Sequence, residues 1–188
     1  MHPDIQQVVF TEETLQRRIG ELAATISQDY RGESVVAICV MKGAIFFMTD
    51  LVRRITVPLV MDFITVSSYG ASTVSSGHVQ LVKDVDTDLK GKHVLLVEDI
   101  LDSGRTLSYL VKHIEAMAPA SLKVCTLLDK PDRREYPVTV EYAGFVVPDV
   151  FVVGYGLDYD QRYRELPFIG ELKPEVYSGQ GEQEALVS

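Results

Sequence analysis

The stretch from Val94 to Leu110 reads VLLVEDILDSGRTLSYL. Its apolar run, Val94 to Val97, breaks off into the acid pair Glu98-Asp99. After Ile100 and Leu101 a third acid, Asp102, leads into Ser103-Gly104-Arg105-Thr106. A segment with Leu107, Leu110, Val111 and Ile114 on one helical face follows. A short apolar run bounded by turn residues reads as a buried strand, so the pattern is strand, loop, helix. A glycine-containing turn at a helix start suits an anion, because the first-turn N–H groups have no partner inside the helix. Three carboxylates on the rim of such a cradle are at odds with anion binding, and the local pattern alone does not say why a cradle would carry them.

The same alternation extends outward. TEETLQRRIGELAATISQDY (11–30) places Leu15, Ile19, Leu22, Ala23 and Ile26 at helical spacing, with Thr11 as N-cap and Glu12 and Glu13 in the first turn. SVVAICV (34–40) reads as a buried strand, followed by MKGA (41–44) and a helical IFFMTDLVRRI (45–55). A second strand, PLVMDFITVSSY (58–69), runs into the polar tract GASTVSSG (70–77), expected to be a mobile loop. HVQLVKDV (78–85) alternates as a half-exposed strand, and SLKVCTLLDK (121–130) is a strand stopped by Pro131. TVEYAGFVV (139–147) and DVFVVGYGLDYD (149–160) supply two more. No internal repeat is present. Buried strands alternating with helices give an α/β fold with a mostly parallel sheet, in which ligands collect beyond the carboxyl ends of the strands. On local pattern alone a plainer reading stays open: Asp102 or Ser103 caps the helix, and Glu98 and Asp99 are solvated loop acids.

At 188 residues the chain suits one domain, taken as 1–177, with the polar end 178–188 expected to be a disordered tail. Hydrophobic residues make up 46% and charged residues 24%, the balance of a soluble globular protein. No apolar run reaches the length of a membrane span and the N-terminus is no signal peptide, so the expected location is cytoplasmic. Cys39 and Cys125 sit in apolar runs and read as buried free thiols, and neither they nor the four histidines have metal-ligand spacing. A net charge of −9 argues against nonspecific binding to nucleic acid or membrane. An acidic chain that grips a polyanion must do so locally, with helix N-termini, a few cations and a metal.

The segment 94–106, ending in Asp-Ser-Gly-Arg-Thr, closely resembles the signature of the type I phosphoribosyltransferases. MKGA (41–44), SSYG (67–70), LLDKPDRR (127–134) and PDVFVVGYGLDYDQRYRELPFIGEL (148–172) resemble its bacterial hypoxanthine/guanine branch. The likeness spans roughly residues 8 to 172. It implies the type I phosphoribosyltransferase fold: a mostly parallel central sheet flanked by helices, with a small hood built from the chain termini. The implied reaction joins a 6-oxopurine to 5-phosphoribosyl-1-pyrophosphate, giving a nucleoside monophosphate and pyrophosphate, in purine salvage.

The resemblance also implies roles. Asp102-Ser103-Gly104-Arg105-Thr106 would wrap the 5′-phosphate, while Glu98 and Asp99 accept from the ribose hydroxyls. An ionised carboxylate only accepts, so it suits a diol and repels a phosphate. Mg²⁺ is the implied cofactor, beside Glu98 and Asp99, with Asp158 near a second ion through water. Asp102 would face N7 of the purine as general base. Lys130 would donate to the exocyclic O6, Phe151 stack on the purine, Val152 offer backbone groups to its edge, and Asp158 lie nearby. Lys42, Gly43 and Arg164 would hold pyrophosphate; the family's bond at Met41–Lys42 is often cis, which would aim N–H groups at it, and the sequence leaves its isomer open. Ser68 and Tyr69 match flap residues that would close over the reacting centre.

Departures are small: Arg105 is one of the two residues, Lys or Arg, that many relatives carry there, and Ser103 stands where Thr is commoner. The implied partners are the two small-molecule substrates and further copies of the chain, as a homodimer or homotetramer, without nucleic acid or membrane. The competing class is a regulatory RNA-binding protein of the same fold, which would need a basic surface patch that the charge of −9 does not support.

Overall fold

Thr11 opens the first helix as its sequence position demands, its hydroxyl accepting from the Thr14 N–H at 3.3 Å. In the computed structural model, which describes residues 2–68 and 79–178, the elements run in the following order. They are β1 (Ile5–Phe10), α1 (Glu12–Asp29), β2 (Val35–Met41), α2 (Ile45–Val52), β3 (Leu59–Ser68), β4 (Val79–Lys83) and β5 (His93–Leu101). Then come α3 (Arg105–Glu115), β6 (Ser121–Asp129), a 3₁₀ turn (Pro131–Arg133), β7 (Tyr142–Val146), β8 (Val152–Val153), β9 (Ile169–Leu172) and α4 (Pro174–Ser178). The expected flap residue Tyr69, the tract 70–77 and the tail from 179 lie outside the described residues; Ser68 is the last residue of β3.

The main sheet has the order β4-β3-β2-β5-β6-β7. Its five strands from β3 to β7 pair in parallel, and β4 runs antiparallel to β3 at the edge. Because β2 leads to β3 on one side while β5 leads to β6 on the other, the strand order reverses between β2 and β5. In doubly wound sheets that reversal opens a crevice at the carboxyl ends. The rungs between β2 and β5 run from Val35–His93 to Cys39–Val97 and stop there, one residue before Glu98.

Alternate strand residues face opposite layers, as the two-residue period requires. Ala37, Cys39, Leu95 and Val97 pack under α1 and α2, against Leu15, Ile19, Leu22, Phe47 and Leu51. Val36, Ile38, Val94 and Leu96 pack under α3, against Leu107, Leu110 and Ile114. Both cysteines are free and buried, and burial pushes the Cys39 thiol up to about 12, with the Glu98 and Asp99 charges adding to it.

A second, antiparallel sheet, β1-β9-β8, is the hood built from the two ends of the chain. Ile5, Val153, Tyr163 and Leu172 fill it, and the Tyr163 hydroxyl donates to Asp4 at 2.7 Å. The segment 149–160 differs from its expected strand, for Val152 and Val153 alone pair with another strand, and Gly154–Leu157 and Tyr159–Arg162 form isolated bridges within the turns. Beyond Val153 the backbone turns through positive φ at Gly154, Tyr155, Gly156, Asp160 and Gln161. At Gly156 close approach dictates the residue: a Cβ would lie 1.9 Å from the Gly43 carbonyl oxygen. The segment thereby gives up strand pairing to fold back over the end of β2.

The helix carrying the glycine turn is held to the sheet by Leu110, which is fully buried. Leu110→Ala is expected to lower unfolding free energy by about 2–5 kcal/mol, read from urea denaturation, with α3 retained in the circular dichroism spectrum.

Candidate active site

Gly104, not Asp102 or Ser103, is the N-cap of α3, at φ +85°, and it has no side chain with which to cap the helix. A left-handed residue costs a glycine little, and a Cβ here would strike the Tyr136 carbonyl at 2.4 Å. The plainer reading of Asp102 and Ser103 as caps therefore does not hold. The Ser103 hydroxyl instead accepts from the Arg105 N–H at 3.4 Å, and the Gly104 carbonyl takes the Ser108 N–H at 2.8 Å to start the helical ladder.

The turn forms one wall of a cavity of about 340 Å³. The others are the ends of β2 (Met41, Lys42, Gly43) and β5 (Glu98, Asp99), with Asp158 and Arg164 from the hood side. Ten of the expected residues thus meet there: Lys42, Gly43, Glu98, Asp99, Asp102, Ser103, Gly104, Arg105, Thr106 and Asp158, with Arg164 as an eleventh. The Met41–Lys42 peptide, left open by the sequence, is cis. Lys42 Nζ donates to Gln161 Oε1 at 3.2 Å, and Arg164 donates to the Gly156 carbonyl at 2.6 Å while pairing with Asp158 at 2.8 Å.

Lys130, Phe151 and Val152 do not line this cavity but lie together beside it. Lys130 is buried, its Nζ donating to the Val150 carbonyl at 2.7 Å. Val152 is buried in β8, whereas Phe151 is 38% exposed, with Tyr177 stacked on it at 5.0 Å and Tyr159 edge-on at 5.6 Å. Arg133, which sequence reading passed over, links the two groups. Its Nε lies 3.3 Å from Asp102 Oδ1 and its Nη1 3.1 Å from Asp149 Oδ1, itself 4.0 Å from Lys130 Nζ. The contact with Asp102 lacks hydrogen-bond alignment, so the buried Oδ1 has no hydrogen-bond partner. Gln161, which bridges Lys42 and Arg164, was also missed (Arg164 Nη2 is 3.5 Å from its Oε1). Nothing in the spacing marks it; only the left-handed turn brings it there.

Burial and the neighbouring Asp99 charge hold the Glu98 carboxyl well above the usual carboxylate range. Burial also raises Asp99, against the pull of N–H donors and Arg164. Two adjacent acids, Glu98 buried and Asp99 half-buried, suit a hard cation. Among the described residues no group of three or more acidic, histidine or cysteine side chains forms a ready cage. The donor set fits Mg²⁺, which keeps several waters and takes one or two carboxylates plus ligand oxygens. The cavity can thus receive a molecule with a diol, a phosphate for the glycine turn, and a second anionic group for Lys42 and Arg164.

Comparison with known proteins agrees with this geometry. The family model described as the phosphoribosyl transferase domain matches residues 9–160. A hypoxanthine-guanine phosphoribosyltransferase of Bacillus subtilis is 51% identical over 177 residues, covering 94% of this chain and 98% of the relative. The bifunctional protein TilS/HprT of Listeria innocua is 54% identical over 178 residues. That match takes in 95% of this chain, which spans 28% of the relative's length. A crystal structure of a Staphylococcus aureus hypoxanthine phosphoribosyltransferase superposes with a TM-score of 0.90 at 46% identity, over 94% of this chain and 96% of that one. No helix among the described residues is long and apolar enough to cross a membrane.

The raised Glu98 carboxyl has a consequence for stability. In the unfolded chain it ionises near its ordinary value, about 4.3, whereas the fold must hold the proton or bury a charge. The folded state is therefore penalised increasingly as pH rises above that value, up to the folded pKa. Glu98→Gln should raise the thermal midpoint at pH 8, by about 2–4 °C for each kcal/mol relieved. The gain should shrink toward pH 4.5, and calorimetric scans at both pH values measure it.

Proposed function

Because the chain belongs to the phosphoribosyl transferase family, we propose that it is a purine salvage enzyme of the hypoxanthine/guanine kind. It would join hypoxanthine or guanine to 5-phosphoribosyl-1-pyrophosphate, yielding the nucleoside monophosphate and pyrophosphate. The observation that carries this reading is the gathering of the glycine turn, the Glu98–Asp99 pair, Lys42 and Arg164 around one cavity. Those groups match, piece by piece, a sugar bearing a 5′-phosphate, a diol and a pyrophosphate.

In this mechanism the C1′–oxygen bond breaks with its electron pair going to pyrophosphate, and the purine N9 lone pair forms the new bond to C1′. The sugar is oxocarbenium-like in between, so charge develops on the leaving group. Lys42 and Arg164 face that charge directly. A fixed cation in a water-poor site stabilises a transition state without reorganising. When bound beside Glu98 and Asp99, Mg²⁺ would supply further charge neutralisation to the pyrophosphate and ribose oxygens. Glu98 and Asp99 hold the 2′- and 3′-hydroxyls, and Ser103 to Thr106 hold the 5′-phosphate with backbone N–H groups and the helix dipole.

Asp102, on the cavity wall and charge-balanced by Arg133 at 3.3 Å, takes the purine proton at N7 as N9 becomes bonded. Lys130, fixed by its bond to the Val150 carbonyl, donates a second hydrogen to O6. Adenine offers a donor there instead, so two donors would face each other. Phe151 stacks on the base with the face that Tyr177 leaves open. Ser68 and Tyr69 belong to the proposed flap that keeps water from the sugar cation. A cytoplasmic, homodimeric or homotetrameric enzyme completes the proposal.

A spectrophotometric assay with the ribosyl donor, Mg²⁺ and each of four purines tests it. Hypoxanthine or guanine should turn over at least about 100-fold faster than adenine, because unmatched buried polar groups are rejected strongly. Equal rates with adenine would contradict the role of Lys130. Asp102→Asn should lower kcat by about 10²–10⁴-fold, the usual span for a general base, while KM values move little. An unchanged kcat would remove Asp102 from that role.

A further inference from the structure

The segment after the 3₁₀ turn packs against the outside of the glycine turn. Arg134 donates through Nε to the Asp102 carbonyl at 3.3 Å, and its Nη2 pairs with Asp129 at the end of β6. The next two N–H groups, of Glu135 and Tyr136, both donate to the Ser103 carbonyl, each at 2.9 Å. The Tyr136 carbonyl closes on Gly104, and the Arg105 guanidinium lies 5.3 Å above the Tyr136 ring. Arg134 and Tyr136 do not line the cavity.

A trans peptide is planar, with its C=O and N–H pointing in opposite directions. Drawing the Asp102 carbonyl toward Arg134 therefore turns the Ser103 N–H away from this segment. Drawing the Ser103 carbonyl toward Glu135 and Tyr136 does the same to the Gly104 N–H. Both donors then face the side on which the cavity lies. A short loop containing glycine has alternative peptide orientations of similar energy, and only one of them presents N–H groups to an anion.

We propose that Arg134 is a positioning residue that fixes the Asp102–Ser103 peptide so that the loop presents its donors to a 5′-phosphate. This rests on the transferase reading above. Arginine suits the task because its planar fork reaches a carboxylate and a carbonyl at once, so its own orientation is set by Asp129. A lysine offers one point of contact and no such geometry.

The test compares two ligands that use different ends of the cavity. Isothermal calorimetry measures inosine 5′-monophosphate and magnesium pyrophosphate binding to the wild type, Arg134→Met and Arg134→Lys. For Arg134→Met the dissociation constant of the monophosphate should rise at least about tenfold, the scale of one hydrogen bond to a charged group. Pyrophosphate should change less than about twofold, since its contacts are elsewhere. Arg134→Lys should fall between wild type and Arg134→Met for the monophosphate. Unchanged monophosphate binding in Arg134→Met overturns the proposal, and so does equal weakening of both ligands, which would mean general damage. If Arg134→Met does not fold by circular dichroism, the same two-ligand comparison on Arg134→Lys decides. A wild-type protein that binds no monophosphate would instead sink the transferase reading, and the positioning role with it.

Discussion

Beyond the rung Cys39–Val97, β2 and β5 no longer pair, and the chain of each turns to its own side of a crevice. Past that rung β2 delivers Lys42 and Gly43, while β5 delivers Glu98 and Asp99 and then the turn into α3. A parallel sheet holds its strands in register over several apolar rungs, here buried on both faces, so the point of divergence is rigid. Groups of opposite character can sit a few ångströms apart there because each is anchored on a different strand. The hood adds Asp158 and Arg164 by folding the 154–164 segment back, with Gly156 against Gly43.

Charge is managed in the same local fashion. The chain carries −9 overall, yet the cavity combines Lys42, Arg164 and a helix N-terminus with the acid pair Glu98–Asp99. The acids are kept out of water at a cost, since burial raises both carboxyls. Residues that serve ligand binding rather than folding commonly carry such a penalty. A diol or cation that satisfies the acid pair offsets part of that penalty, which favours binding.

Much of the fold was legible because its signals are strong and local. The buried strands at 34–40 and 94–97, the amphipathic helices and the glycine turn all follow from period and residue type. The hood was not legible from pattern. The six-residue β1 and the two-residue β8 take their pairing from distant partners, β1 from β9 across the length of the chain. The 149–160 segment misled because apolar, aromatic and β-branched residues there serve turns over β2 rather than a strand. In the site, the expected residues came from the resemblance to a family, while Arg133, Arg134 and Gln161 were not among them. They act on backbone carbonyls and other side chains across loops, and such contacts leave no spacing in the sequence. The capping alternative for Asp102 fell because Gly104 alone meets both the left-handed φ and the approach of Tyr136.

The most direct measurement is a crystal structure of the protein grown with inosine 5′-monophosphate. Its 5′-phosphate oxygens should lie within about 3 Å of backbone nitrogens between Ser103 and Thr106, an ordinary hydrogen-bond length. The ribose hydroxyls should lie on Glu98 and Asp99, with the purine between Asp102, Lys130 and Phe151. A nucleotide bound elsewhere, or bound here with its phosphate against Lys42 and Arg164, would contradict the assignment of the glycine turn as the phosphate cup.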